Sequence, residues 1–219
     1  MAMAFDFAVI QRNLPVLAEG MVTTLQLTGL AVLMGLAWGC ALAVARLAPG
    51  RVLPLLAAGY VNAIRAVPLI MVIFWIYFLL PLVTGRQIGA FNSVLVAFVL
   101  FEGAYFSEII RAGIKSVSRG QLQAALATGM GYLQAMRYVI LPQAVRRMAP
   151  VLLTQCIALF QDTSLAYVVG LTDFLTTSAM VASRDGRLIE LYSFVAVVYL
   201  VICVAGAACV NRIARRVPL

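Results

Sequence analysis

Between Glu19 and Arg46 the chain carries no charged residue, and the same is true between Arg65 and Arg86. A helix rises 1.5 Å per residue, so about 20 consecutive apolar residues bridge a hydrocarbon core roughly 30 Å thick. Runs of this length constrain the chain before any motif is considered. Composition agrees: 64% of the residues are hydrophobic and 11% charged, against roughly half and a quarter in soluble domains. The expected fold class is an all-α integral membrane protein with lipid as its solvent.

Five spans are predicted, at about 23–45, 68–83, 91–110, 150–171 and 191–210. Gly35 and Gly39 give the first a GxxxG spacing, which lets a second helix approach closely. Pro68 suits the first turn of the second span, where a missing N–H costs little, and a helical stretch around Leu55 to Ile64 precedes it. Trp75 and Tyr77 fall mid-span, where packing rather than interfacial anchoring is expected. The layout is then an outer N-terminal segment (1–22), a membrane domain (20–212) with a long polar connection at 111–147, and a short tail (213–219).

Five spans put the termini on opposite sides. With the tail inside, Arg46, Arg51, Arg65, Arg111, Lys115, Arg119, Arg137, Arg146, Arg147, Arg212, Arg215 and Arg216 are cytoplasmic, and only Arg12, Arg86, Arg184 and Arg187 are outside. That asymmetry orients the chain with its N-terminus out and its C-terminus in. It also explains the net charge of +8 as loops facing an anionic leaflet rather than nucleic acid. No histidine is present, which removes the commonest general base and metal ligand. Cys40, Cys156, Cys203 and Cys209 lie within apolar runs without CxxC spacing and read as small packing residues. Met1 to Asn13 lacks the basic flank, apolar core and cleavage site of a signal peptide. Lys115 follows Ile114 rather than glycine, so no phosphate-cradling loop exists. A non-catalytic subunit is expected, with any transport energy supplied by a partner.

The connection at 111–147 is more than a basic tether, because Leu122, Leu126, Met130 and Leu133 recur at helical spacing. Ser118-Arg119-Gly120-Gln121 has the form of a capping box, Gly129 and Gly131 break or turn the helix, and a second short helix runs toward Pro142. Pattern alone leaves two readings open: a docking knob of two short helices, or an amphipathic helix lying on lipid.

A family resemblance bears on that choice. Gln123-Ala124-Ala125-Leu126-Ala127-Thr128-Gly129, followed by Val139-Ile140-Leu141-Pro142, resembles the EAA loop of the permease subunits of ABC importers. The resemblance implies that Gln123, Ala124, Ala125, Gly129, Leu141 and Pro142 belong to a segment that enters a cleft on an ATPase subunit. The family's usual leading glutamate is Gln123 here, so an amide replaces an ion-pairing carboxylate. Arg65-Ala66-Val67-Pro68-Leu69 is similar to the start of span two in polar amino-acid permeases, and Ser107 to Ile114 to their end of span three. Phe160-Gln161-Asp162-Thr163-Ser164-Leu165 is similar to their span-four signature, with Gln161 where most relatives carry lysine. Together with Tyr60-Val61-Asn62 and Phe101-Glu102-Gly103-Ala104-Tyr105, these stretches most resemble the glutamate/aspartate importer permeases. The resemblance implies an inner-membrane location and a type I ABC importer permease fold. It implies an ATPase dimer that handles ATP and Mg, a second permease, identical or homologous, and a periplasmic solute-binding protein. The chain itself binds no cofactor or metal on this reading. A permease of the same family for another polar amino acid such as glutamine is the nearest alternative. A secondary transporter would show two related halves with broken helices.

Ionisable groups within spans are costly and face protein or water. Glu102 is roughly mid-span, as a gate residue or as a hydrogen-bond partner of a neighbouring helix. Glu108 and Arg111 are placed to form a weak surface ion pair. Gln161, Asp162, Thr163 and Ser164 point all round a helix, so part of that helix must line protein or water, and these four with Glu102 are the candidate path residues.

Overall fold

The computed structural model describes residues 5–215; Arg216 and the rest of the expected tail lie outside the described residues. All described regular structure is helical. Four helices are long and apolar enough to cross a membrane: α1 (Ala8–Leu47), α4 (Ala90–Lys115), α6 (Tyr132–Val169) and α8 (Leu188–Ala214). Between α1 and α4, α2 (Val52–Arg65) and α3 (Leu69–Thr84) meet at 104° and make up the fifth span as a broken pair. The short α5 (Arg119–Ala127) and α7 (Phe174–Asp185) lie in the connections on either side of α6.

Two spans are longer than the apolar runs suggest. α1 already begins at Ala8 and takes in most of the expected outer segment, with Pro15 inside it. Its buried residues recur every three or four positions, from Val9 and Asn13 to Gly39 and Leu42, so one face stays against the bundle throughout. α6 begins at Tyr132 rather than Pro150. The second short helix expected near Pro142 is therefore the start of this span and continues into it without interruption. A proline within a helix lacks its N–H, and its ring crowds the carbonyl four residues back. Here a wide π turn at Met136–Ile140 ends just before Leu141-Pro142. The same arrangement recurs in α3, where a π turn at Trp75–Leu79 precedes Leu80-Pro81. Widening the turn absorbs the proline without ending the helix.

The central seam is α1 against α4. A Cβ on Gly39 would lie 2.6 Å from the Cβ of Phe106 and 3.0 Å from the Gly103 carbonyl, so only a glycine admits this approach. The GxxxG spacing is thus a contact surface within the chain. Around it Leu27, Ala31, Phe98, Phe106 and Leu159 form one buried cluster that reaches α6. α7 is capped by Asp173, whose carboxylate accepts from the N–H groups of Leu175 and Thr176, and it is held to α1 where Thr24 Oγ1 accepts from the Phe174 N–H at 3.0 Å. Ser118 does stand at the N-cap of α5, but its side chain makes no capping bond. The reciprocal bond occurs later, where the Gln134 carbonyl accepts from the Gly131 N–H at 2.9 Å. The Gln121 N–H that such a cap would use donates instead to the Ser118 backbone carbonyl at 3.1 Å.

Candidate translocation face and coupling loop

The polar residues of α6 are sorted by its rotation of about 100° per residue. Thr163 is buried and donates to the Phe160 carbonyl. Ser164 is half-buried and donates to the Gln161 carbonyl. These two hydroxyls are satisfied within the helix. Gln161 is exposed and Asp162 half-buried. Two further residues, Thr154 and Gln155, precede them on the same side. Thr154, Gln155, Gln161 and Asp162 fall within an arc of about 120°, a polar stripe along a membrane helix. Thr154 and Gln155 carry no motif, and only their phase relative to Gln161 and Asp162 could have singled them out.

Glu102 is not on this surface. It is 0% exposed and lies behind the stripe, where one carboxylate oxygen accepts from Gln155 Nε2 at 2.9 Å. The other oxygen has no partner, and neither does the hydroxyl of Ser107 one and a half turns further along α4. The contact fixes Gln155, because a carboxylate takes the amide's NH₂ side and leaves the amide carbonyl to face away.

Glu108 forms more than the surface pair expected with Arg111. It also accepts from Arg46 Nη1 at 2.6 Å, and the side chains of Arg46 and Glu108 are 10% and 25% exposed. Arg111 pairs with its other oxygen. One carboxylate thereby ties the end of α1 to α4 beside the 111–147 loop. Arg46 is distant in sequence, so periodicity within α4 could not have found it. At the opposite end, Arg184 donates to Asp185 at 2.8 Å and to Asn13 Oδ1 at 2.6 Å, and Asn13 donates to Asp185 at 3.1 Å. The Arg184 guanidinium holds the Asp185 carboxyl below the usual carboxylate range. Arg184, counted above among the outer charges, clasps the start of α1. Trp75, expected to pack, is 44% exposed. The four cysteines are free, Cys40 and Cys209 on the surface.

The loop between α4 and α6 presents its apolar residues outward. Ala125 is buried, whereas Gln123, Ala124, Gly129, Leu141 and Pro142 are exposed. Gly129 turns the chain at a φ of +85°, a conformation costly for a residue with a Cβ. On either side of it Leu126, Tyr132 and Tyr138 stand clear of the bundle, and Leu133 is 81% exposed. Meanwhile Val117, Ile140 and Ala144, with Leu122 packed against them, form a small core of their own that fixes the loop. The loop is thereby held in place with its apolar residues outward, and both readings, docking knob and helix lying on lipid, use such a surface.

A bundle with a broken second span, a polar stripe within its fourth, and an anchored knob on one connection defines a membrane permease subunit. Residues 31–218 match the family described as the inner membrane component of binding-protein-dependent transport systems, and the chain belongs to that family. It is 46% identical to the glutamate/aspartate import permease protein GltK of Escherichia coli O6:H1, over 97% of this chain and 98% of that protein. It is 34% identical to the glutamine transport system permease protein GlnP of Escherichia coli K12, over 99% and 100% of the two chains. Its fold superposes with a TM-score of 0.92 on a chain from the crystal structure of an amino acid ABC transporter with histidines, at 32% identity and over 98% and 100% of the two chains. The protein is a multi-pass inner-membrane subunit of an ABC amino-acid importer with no catalytic activity of its own, as the sequence led one to expect.

Proposed function

We propose that this subunit forms part of the path for L-glutamate and L-aspartate in an ATP-driven importer and takes up the movement of an ATPase through its 111–147 loop. The observation that carries the mechanism is the continuity of α6. A single helical rod of 38 residues holds Leu133 and Tyr138 of the knob at one end and the stripe Thr154, Gln155, Gln161 and Asp162 further along. From Leu133 to Gln155 is about 33 Å at 1.5 Å per residue. Displacement of the knob by a partner is then passed to the stripe along one helix, through the π turn at Met136–Ile140. The polar stripe would be costly against lipid, and it gains water or a partner surface when a second permease, identical or homologous, completes the path. The excess of arginines around the loop end supports a cytoplasmic loop, with the N-terminus outside and α7 on the periplasmic side, toward a solute-binding protein. ATP and Mg are handled by the ATPase dimer.

The substrate rests on similarity to GltK over nearly the whole chain. The similarity to GlnP supports glutamine as the second reading. Labelled glutamate uptake by proteoliposomes holding the complete transporter distinguishes them: competition by aspartate supports the acidic substrates, and competition by glutamine alone selects the second reading. In the same preparation Asp162→Ala is expected to reduce uptake about ten-fold with its unfolding temperature unchanged. Wild-type uptake by that variant would remove the stripe from the path.

A further inference from the structure

Arg65 is an exposed arginine at a break between two membrane helices. It ends α2, the chain turns through 104°, and α3 resumes at Leu69. Its guanidinium carbon lies 5.1 Å from the centroid of the Tyr105 ring. Among the described residues it has no carboxylate within 4.0 Å, whereas Arg46 and Arg111 both pair with Glu108. A guanidinium against an aromatic ring keeps its in-plane N–H donors available at its edge.

Its surroundings connect it to the polar stripe. Tyr105 is one helical turn from Glu102 on α4 and stacks at 5.0 Å on Phe101. Glu102 accepts from Gln155 of the stripe. Val67 of the break, Tyr105, and Cys156 and Leu165 of α6 all pack on one buried cluster. Arg65 and Gln155 thus each touch α4 within one helical turn, at Tyr105 and at Glu102. Outward from it the break exposes Ala66 and Pro68, neither of which supplies a counter-charge.

We propose that Arg65, oriented by Tyr105, is a carboxylate-contacting residue of the translocation path. The proposal rests on the reading that the α6 stripe lines that path. A carboxylate in flight takes a bidentate hold on the free edge of the guanidinium, while the Gln155 carbonyl left free by Glu102 faces the substrate's ammonium. An amino acid offers an α-carboxylate, and an acidic one offers a side-chain carboxylate as well; either fits the same donor edge. Glu102 is fully buried, and Arg65 and Glu102 form no ion pair although one Glu102 oxygen is unpartnered.

The test uses the complete reconstituted transporter. Arg65→Ala is expected to lower glutamate uptake at least about ten-fold, while ATPase stimulation by loaded binding protein stays within about two-fold of wild type. Arg65→Cys is then treated with an ammonium-adding or a neutral thiosulfonate, beside wild type treated identically. Recovery of uptake with the ammonium reagent only supports the proposal. Equal recovery with the neutral reagent, uptake within about two-fold of wild type in Arg65→Ala, or joint loss of uptake and ATPase stimulation with no rescue by charge overturns it. A fall confined to acidic amino acids identifies the side-chain carboxylate, and an equal fall for a neutral amino acid identifies the α-carboxylate. Should Asp162→Ala transport normally while Arg65→Ala does not, the stripe is lost and Arg65 stands; the reverse result loses Arg65 alone. If the wild type carries another amino acid, the same comparison is run with that one.

Discussion

The two faces of α4 and α6 are built on opposite rules. Along the α1–α4 seam, backbones touch because Gly39 and Gly103 offer no side chain to keep them apart, and burial is complete from Leu27 to Phe106. On the open side of α6 and on the knob, polar and apolar groups alike are left without partners in this chain: Gln161, Leu126, Leu133. In a bilayer, apolar burial gives little drive for helices to associate, so close packing has to hold the bundle together. The seam is therefore intolerant of added volume, and the open side can change its neighbours. The first is a frame, and the second is a working surface.

That contrast can be broken at its stiff end. Gly39→Leu places a side chain where a Cβ alone would meet Phe106 at 2.6 Å. Overpacking at a site with no room costs about 3 kcal/mol or more, and thermal unfolding of the purified subunit should show a large loss or no folded protein. A tolerated Gly39→Leu would mean that the seam is loose. On the open side the effect is expected in function alone. Leu133→Asp, at a residue 81% exposed, should leave unfolding unchanged within about 0.5 kcal/mol and abolish stimulation of the ATPase. If stability falls with it, the knob is part of the frame.

Intermediate effects belong to the ties that join the frame to the loop. Glu108→Ala leaves Arg46 and Arg111 facing each other without a carboxylate. A loss of about 1–2 kcal/mol is expected, discounted for partial exposure, and Arg46→Ala should show a smaller one because Arg111 keeps its partner. Equal losses would mean that the bridge acts only through Arg46. The smallest effect lies at the opposite end. Asp185 is held below the ordinary carboxylate range by Arg184. A lowered folded value means that the clasp is fully formed above about pH 4, the unfolded value, and fades as pH falls through the lowered one. Proteolytic release of the α7 segment should therefore rise only in acid, and Asp185→Asn should remove that pH dependence.

Much of the architecture was legible because lipid admits few solutions. Uncharged stretches around 23–45 and 191–210 fall inside α1 and α8, and the Gly129 turn follows from what glycine permits at φ +85°. Helix starts were less legible. Polar residues hid the continuation of α6 back to Tyr132 and of α1 back to Ala8, since hydropathy marks where a helix meets lipid rather than where it begins. The Ser118 cap failed because the Gln121 N–H is taken by the Ser118 backbone carbonyl. At the site, Gln161 and Asp162 stood out as charge and amide in an apolar run, but Thr154 and Gln155 did not.

The sequence by itself determined the solvent of this protein, its helical class, its spans and the loop that distinguishes its family, because those depend on composition and local spacing. Only the tertiary structure decided which polar groups are spent and which are free. Glu102, Glu108, Asp162 and Arg65 all read as ionisable residues in or beside apolar runs. Pairing partners distant in the chain, Gln155 and Arg46, engaged the first two, while Asp162 and Arg65 were left open. Which charge is neutralised depends on what the fold brings within 3 Å of it, and that distance is not written in the order of the residues.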